Sequence, residues 1–335
     1  MNYVSILNRL LNREDLPHDD MIELMRNIMS GQLTSAQIAA VLVALHMKGE
    51  TVDEIAAAAQ VMRDLSSKVT VQNDRYLIDT CGTGGDGAQT FNISTASALV
   101  AAAAGARVAK HGGRSISSTC GSADILEKLG VNVNLTPQQV AHCVQELGVG
   151  FMFAPNHHSA MKYAAPVRRE LGVRTLFNLL GPLTNPAGAE NQVMGVFQRD
   201  LTVKLACVLQ QLGSQHVLVV HGADGMDEIS ISGPTYIAEL KNGTVLEYVV
   251  QPQDFDLHAA PLDCIRVANI NEARTMLLSV LDNQPGAARD IVQLNAGAAI
   301  YVAGLTATLK EGVIKAKEVI ASGAAKNKLQ ALVSI

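Results

Sequence analysis

The run Cys81-Gly82-Thr83-Gly84-Gly85-Asp86-Gly87-Ala88-Gln89-Thr90-Phe91-Asn92-Ile93-Ser94-Thr95 places four glycines within six positions. Glycines let a backbone turn tightly and present bare N–H groups, with no Cβ to keep a large anion away. Asn92, Ser94 and Thr95 follow as capping hydroxyl and amide groups where a helix dipole favours negative charge. The segment reads as a phosphate cradle.

A second cluster, Lys110-His111-Gly112-Gly113-Arg114-Ser115-Ile116-Ser117-Ser118-Thr119-Cys120-Gly121-Ser122, carries two cations, one histidine, five hydroxyls and three glycines. That density of donors suits a polyphosphate, and the plain alternative is a basic, solvated loop. Asp224-Gly225-Met226-Asp227-Glu228 adds an acidic group. Adjacent carboxylates in extended chain point to opposite faces, so Asp227 and Glu228 could serve two Mg²⁺ ions, or one if the backbone turns. Without other evidence the pair reads more readily as an acidic turn. Arg168 and Arg169 offer a guanidinium fork for a carboxylate, or an exposed charged helix face. His157-His158 has no carboxylate or thiol at ligand spacing and argues against a metal centre. No Ser-His-Asp or Cys-His arrangement suggests covalent catalysis.

Gly82-x-Gly84-x-x-Gly87 also satisfies the dinucleotide fingerprint. That reading needs an acidic residue ~20 positions later to hold a ribose hydroxyl. The region instead reads Arg107-Val108-Ala109-Lys110-His111, and Asp86 would repel a bare pyrophosphate unless a cation or sugar hydroxyl intervened. No Gly-Lys-Ser/Thr follows, which sets aside a Walker loop. An NADP-dependent dehydrogenase is therefore disfavoured.

These residues need a scaffold that brings strand ends together. Strands are predicted at Tyr76–Asp79, Arg107–Ala109, Val149–Phe153, Val193–Phe197 and His216–Val220. Helices are predicted from near Asn92, Ser122, Thr136, Ser159 and Leu201, the third opened by Thr136-Pro137-x-Gln139. This alternation implies an α/β fold with a mostly parallel sheet, whose sites lie at the carboxyl ends of strands. Asn242-Gly243 between Tyr236–Leu240 and Val245–Val250 signals a hairpin. Helices near Asn271–Leu281, Ala287–Ala303 and Leu305–Ala321 close the chain. The first part is helical throughout, with Met21, Leu24, Met25 and Ile28 at helical spacing and capping boxes at Thr34-x-x-Gln37 and Thr51-x-x-Glu54. It reads as a three- or four-helix packing or dimerisation unit ending near Lys68.

The chain has 335 residues, enough for two domains or one large α/β unit. A formal net charge of −5 disfavours nucleic acid or an anionic membrane as partner. Five cysteines without a C-x-x-C pair fit reduced thiols. Charges in and after the first apolar stretch argue against a signal peptide, and the apolar run from Ala96 meets Arg107 and Lys110 too soon to span a bilayer. The expectation is a soluble cytoplasmic protein.

The strings CGTGGDG running into TFNIST, KHGGRSISSTCGSAD, HHSAMK, RRELGVRTLFNLLGPLTNPAG and DGMDE together resemble anthranilate phosphoribosyltransferases of tryptophan biosynthesis along nearly the whole chain. The resemblance implies transfer of the phosphoribosyl group of 5-phosphoribosyl 1-pyrophosphate to the amine of anthranilate, with release of pyrophosphate. By it, Gly82, Gly85, Asp86, Thr90, Asn92, Ile93, Ser94, Thr95, Lys110, His111, Gly112, Gly113, Arg114, Ser115, Ile116, Ser117, Ser118 and Ser122 would line the donor site. Ser94, Asp227 and Glu228 would hold two Mg²⁺ ions, and Gly82, Gly113 and Arg168 would meet anthranilate. Lys110, Asp86 and Arg168 would be the catalytic set. It further implies a homodimer formed through a small helical domain, residues 1–69 completed by chain near 165–180, with residues 70–335 as the larger α/β domain. Members of this family usually carry asparagine where this chain has Gly113, and serine where it has Cys120. The rivals are a pyrimidine nucleoside phosphorylase-like enzyme, which should not need the Asp227-Glu228 pair, and a non-catalytic nucleic-acid-binding relative.

Overall fold

A computed structural model of the protein describes residues 2–114 and 120–335. The chain opens with four helices: α1 (Tyr3–Leu11), α2 (His18–Met29), α3 (Ser35–Lys48) and α4 (Val52–Asp64). Thr34 and Thr51 form the expected capping boxes with Gln37 and Glu54, and Gly49 closes α3 at φ 87°. Met21, Leu24, Met25 and Ile28 are fully buried, as their spacing requires.

Beyond residue 70 the order becomes β1 (Leu77–Gly82), α5 (Ile93–Ala103), β2 (Arg107–Gly112), α6 (Ser122–Lys128), α7 (Pro137–Leu147) and β3 (Val149–Phe153). Two short helices, α8 (Ala154–His157) and α9 (Ala165–Leu171), flank a 3₁₀ turn at Ser159–Tyr163. The helix expected from Ser159 is thus delayed, because Pro166 suits a first helical turn and not an interior. Then follow α10 (Phe177–Leu180), β4 (Asn191–Gly195), α11 (Leu201–Gln211), β5 (His216–Gly222), β6 (Thr235–Lys241) and β7 (Thr244–Val250). The chain closes with α12 (Ile270–Leu281), α13 (Ala287–Val302), α14 (Leu309–Ala321) and α15 (Ala324–Val333). The helix expected from Leu305 starts later, at the Thr308 cap, and α15 was not anticipated.

The seven strands run in the order β3-β2-β1-β4-β5-β6-β7. The first five pair in parallel, and β6 and β7 add the antiparallel hairpin. The chain moves outward from β1 to β2 and β3, then returns to place β4 on the other side of β1. That reversal opens a crevice at the carboxyl ends of β1 and β4. Residues alternate across the sheet with period two. Val193, Leu218 and Val220 join one core with α5 and α12 to α15, while Met194, Val196, Val217 and Val219 join the other. The second core is continuous through α11, the segment Ala164–Leu183 and the buried faces of α1 to α4.

Several chain crossings connect the helical unit to the sheet. Ser67 N–H donates to His157 O at 2.8 Å, His157 Nδ1 lies 2.9 Å from Ser67 O, and Val69 N–H donates to Pro186 O at 3.0 Å. Arg63, at the end of α4, reaches the carbonyls of Leu183 at 2.7 Å and Leu212 at 3.1 Å. Against the far face, α13 and α14 cross closely at Gly297, where a Cβ would meet the Val313 backbone at 2.6 Å.

Candidate active site

The glycine loop leaves β1 at the crevice. Gly84, Gly85 and Gly87 all have positive φ (64°, 76° and 72°), backbone that L side chains rarely adopt. Asp86 steadies the turn by accepting the Ala88 N–H at 3.1 Å. The far end of the loop is held by residues 265–267: Phe91 N–H donates to Ile265 O at 3.1 Å, Val267 N–H to Gln89 O at 2.9 Å, and Thr90 bridges Arg266.

Three carboxylates gather over this loop. Asp227 Oδ2 accepts the Gly84 N–H at 2.8 Å, and the Asp227 N–H points to Asp86 Oδ2 at 3.4 Å. Glu228 turns the other way and its Oε1 accepts the Ser94 N–H at 3.1 Å. The N-terminus of α5 is therefore capped by Glu228, not by Asn92, whose Nδ2 instead donates to Cys120 O at 3.0 Å. Burial, and then the charge of Asp86, push the Asp227 carboxyl up from its ordinary value. Burial and Asp227 push Glu228 well up. Crowded carboxylates of this kind favour a cation between them.

The cation already present is Lys110, on β2. It is 3% exposed, donates to Ser94 Oγ at 3.2 Å and also bonds Thr80 O. An ammonium has three protons, and these bonds to described residues use two of them. Among the described residues no three His, Cys, Asp or Glu side chains are grouped to hold a metal ion by themselves. Mg²⁺ dehydrates reluctantly and is commonly held by one or two carboxylates together with substrate phosphates. The hard-oxygen set of Asp227, Glu228 and Ser94 Oγ fits such an ion.

The strand ends themselves make room. β1, β2, β4 and β5 each finish on a glycine, Gly82, Gly112, Gly195 and Gly222. A Cβ on Gly82 would strike the Asp227 carboxyl group, and one on Gly195 would strike the Asp227 backbone. Beneath the loops, Asp79 is fully buried and accepts the His111 N–H at 3.1 Å and Asn185 Nδ2 at 2.8 Å. Asn185 also donates to Ala109 O at 2.9 Å, which ties β1, β2 and the chain beyond α10 together.

The other expected residues divide into those at the crevice and those turned from it. Ile93 and Thr95 are each 1% exposed, so their side chains are buried and turned from the crevice. His111 is buried with its ring 5.1 Å from that of His158. Burial, and then His158, lower its pKa to about 3, so it is a neutral imidazole. Gly112 has no space for a Cβ, which would collide with Ser122 Oγ. Ser122 Oγ donates to Gly113 O at 3.4 Å, and Gly113 has no positive φ and nothing among the described residues within 4 Å of an added Cβ. Arg114 is drawn to α6, pairing with Glu127 at 2.6 Å and Asp124 at 3.0 Å. Ser115, Ile116, Ser117 and Ser118 lie outside the described residues.

Arg168 sits on α9 with its guanidinium 5.4 Å from the Phe177 ring centroid, and burial lowers its pKa. Arg174 does bond the glycine loop: it hydrogen-bonds Gly85 O and stacks 3.9 Å over Phe197. Sequence reasoning passed over it. The string RRELGVRTLFN contains it, but a single arginine with no partner in sequence gave no reason to choose it.

Comparison with known proteins agrees with the two-part fold. Residues 4–66 match the helical bundle domain of a glycosyl transferase family, and residues 74–326 match its a/b domain. Anthranilate phosphoribosyltransferase of Nitrosomonas eutropha is 61% identical over 329 residues, covering 98% of this chain and 96% of that protein. The crystal structure of anthranilate phosphoribosyltransferase from Thermus thermophilus is 44% identical, with a TM-score of 0.93 and 98% of each chain covered. The enzyme from Saccharomyces cerevisiae, solved in complex with PRPP and Mg, is 27% identical with a TM-score of 0.90, covering 99% of this chain and 97% of that one. With a helical unit joined to a largely parallel sheet and a glycine loop facing a carboxylate pair, the chain belongs to the anthranilate phosphoribosyltransferase family.

Proposed function

We propose that the crevice between β1 and β4 binds 5-phosphoribosyl 1-pyrophosphate with two Mg²⁺ ions, and passes its phosphoribosyl group to the amine of anthranilate. The observation that carries this reading is the convergence of the glycine loop, Lys110, Ser94, Asp227 and Glu228 at one strand end. In the reaction a C–N bond forms at the anomeric carbon as its bond to the pyrophosphate oxygen breaks. Pyrophosphate departs with the electron pair, and the amine then loses a proton. Negative charge grows on the leaving group, where Lys110 Nζ and N–H groups of the glycine loop would receive it. Bound Mg²⁺ supplies further neutralisation of that charge, held by Asp227, Glu228 and Ser94.

Anthranilate's amine is already a neutral nucleophile, so orientation matters more than a strong base. Arg168 takes its carboxylate, with Gly82 and Gly113 beside the bound acceptor. Asp86 acts through the loop it braces and through the Asp227 N–H. The donor's phosphates are met by Gly85, Thr90, Asn92 and the loop from Lys110 to Ser122, with Ser115 to Ser118 included on the resemblance alone. The presence of the Asp227-Glu228 pair weighs against a nucleoside phosphorylase.

The reading takes residues 1–69, completed by chain near 165–180, as the helical domain, and residues 70–335 as the α/β domain. The shared core of α1 to α4 with Ala164–Leu183 supports this. It also makes the protein a homodimer through the helical domain, where Val4, Leu11 and Met47 are 63%, 65% and 72% exposed on α1 and α3. Five free thiols suit the cytoplasm. The net charge of −5 suits neither nucleic acid nor an anionic membrane, and no helix among the described residues is long and apolar enough to cross one. Titration of Mn²⁺ by electron paramagnetic resonance tests the reading. Two ions per subunit should bind in the presence of the donor, and none tightly to a variant carrying Asp227→Asn and Glu228→Gln. Unchanged binding by that variant would remove the metal assignment.

A further inference from the structure

We infer that Asn295, on α13, is a positioning residue that fixes the metal-binding acidic pair by replacing a missing backbone partner. The inference rests on the assignment of Asp227 and Glu228 as metal ligands. Both residues lie in irregular chain between β5 and β6. The turn before them is closed by its own backbone, with Gly222 N–H donating to Met226 O at 2.9 Å. The chain after them is held by Ser230 N–H donating to Thr235 Oγ1 at 2.9 Å. Between these anchors stands Ile229, 2% exposed, whose N–H and C=O find no backbone partner among the described residues.

Asn295 supplies both partners. Its Oδ1 accepts the Ile229 N–H at 2.9 Å, and its Nδ2 donates to Ile229 O at 2.9 Å. The amide thus pairs with Ile229 as a neighbouring strand would. Its second amide proton goes to Ile291 O at 3.0 Å, one turn back on α13, which locks the rotamer. Asn295 is 2% exposed and lines the small cavity shared by Glu228, Ser94, Thr80 and Gly195.

Only asparagine meets these demands at this distance from the helix. Alanine would leave two buried backbone groups unpaired, and leucine would add bulk without hydrogen bonds. The residue directly before the clasped peptide is Glu228, so freedom at Ile229 becomes freedom of a metal ligand. Groups that orient metal ligands from behind change metal affinity by ~10–100-fold when removed.

The test compares Asn295→Ala and Asn295→Asp with the parent enzyme. The aspartate variant keeps the side-chain volume and the bond from the Ile229 N–H, so it guards against a variant that fails only by unfolding. Mn²⁺ binding by calorimetry with the phosphoribosyl donor present should weaken on the order of tenfold or more in Asn295→Ala, and less in Asn295→Asp. Hydrogen exchange in the peptide spanning residues 222–232 should accelerate in both, without donor or metal. The KM for anthranilate should stay within about twofold of the parent. A lowered melting temperature with unchanged Mn²⁺ affinity would overturn the inference and leave Asn295 as a packing residue. Asp227→Asn serves as the separate control: if that variant binds Mn²⁺ normally, the metal assignment itself fails, whatever Asn295 does.

Discussion

Gly195, the last residue of β4, lies so close beneath Asp227 that a single methyl group on its Cα would run into the Asp227 backbone. The sheet end and the acidic loop are in contact without any side chain between them. Gly195→Ala should therefore move Asp227 off the glycine loop. Overpacking of this kind costs ~1–3 kcal/mol in stability, and misplacement of a site group by an ångström costs ~100-fold in rate. Steady-state kinetics and thermal melting check it. A variant with parental kcat/KM would show that the loop shifts freely and that its position is not critical.

Asp227→Asn with Glu228→Gln should abolish turnover and leave the fold intact. The metal-free protein should melt no lower than the parent, because removing two buried and crowded carboxylates relieves the burial cost and the repulsion that raise their pKa values. The Gly84 N–H keeps an acceptor in the asparagine oxygen. A large drop in melting temperature would mean that the pair is structural.

Arg168→Ala should raise the KM for anthranilate far more than that for the donor. Loss of a charge-assisted contact costs ~1.5–3 kcal/mol, on the order of tenfold to a hundredfold in kcat/KM. Equal damage to both substrates would assign Arg168 to the fold through its Phe177 contact.

Gly113→Asn should be tolerated, since nothing among the described residues lies within 4 Å of a Cβ there and φ is not positive. The added amide should raise kcat/KM for anthranilate by roughly twofold to tenfold, the value of a neutral hydrogen bond of ~0.5–1.5 kcal/mol. A fall in anthranilate efficiency with normal donor binding would mean that the glycine leaves space for a larger acceptor.

Stability should fall with acid through His111 and His158. Burial lowers the first to about 3 and the second to about 4, both below the ordinary value of 6.5. Their neutral forms belong to the folded state, so stability is complete above pH ~6.5, where the unfolded imidazoles are also neutral. It declines below that by about 1.4 kcal/mol per pH unit for each ring, down to the folded values. Melting temperatures between pH 7.5 and 5 should drop in the parent and drop less in His158→Gln. A flat profile in the parent contradicts this account.

Much of the fold was legible in the sequence because its signals are local. The Thr34, Thr51 and Thr136 capping boxes and the Asn242-Gly243 hairpin form as their residue types require. The later starts of α9 and α14 also follow local signals, Pro166 in a first turn and the Thr308-x-x-Glu311 capping box, while α15 was not foreseen. The site was legible only in part. Glycine and carboxylate strings announced their chemistry, but the capping of α5 by Glu228 spans 134 positions and the Arg174–Gly85 bond spans 89. No periodicity or spacing rule reaches that far. The space that Gly195 leaves for Asp227 was equally silent, since a strand-ending glycine looks like any other.

The most direct measurement mixes purified protein with 5-phosphoribosyl 1-pyrophosphate, Mg²⁺ and anthranilate, and follows anthranilate fluorescence and pyrophosphate release together. Loss of anthranilate should match pyrophosphate one for one, and both should stop when Mg²⁺ is chelated. Pyrophosphate release without anthranilate consumption, or turnover of a nucleoside with inorganic phosphate in its place, would contradict the assignment.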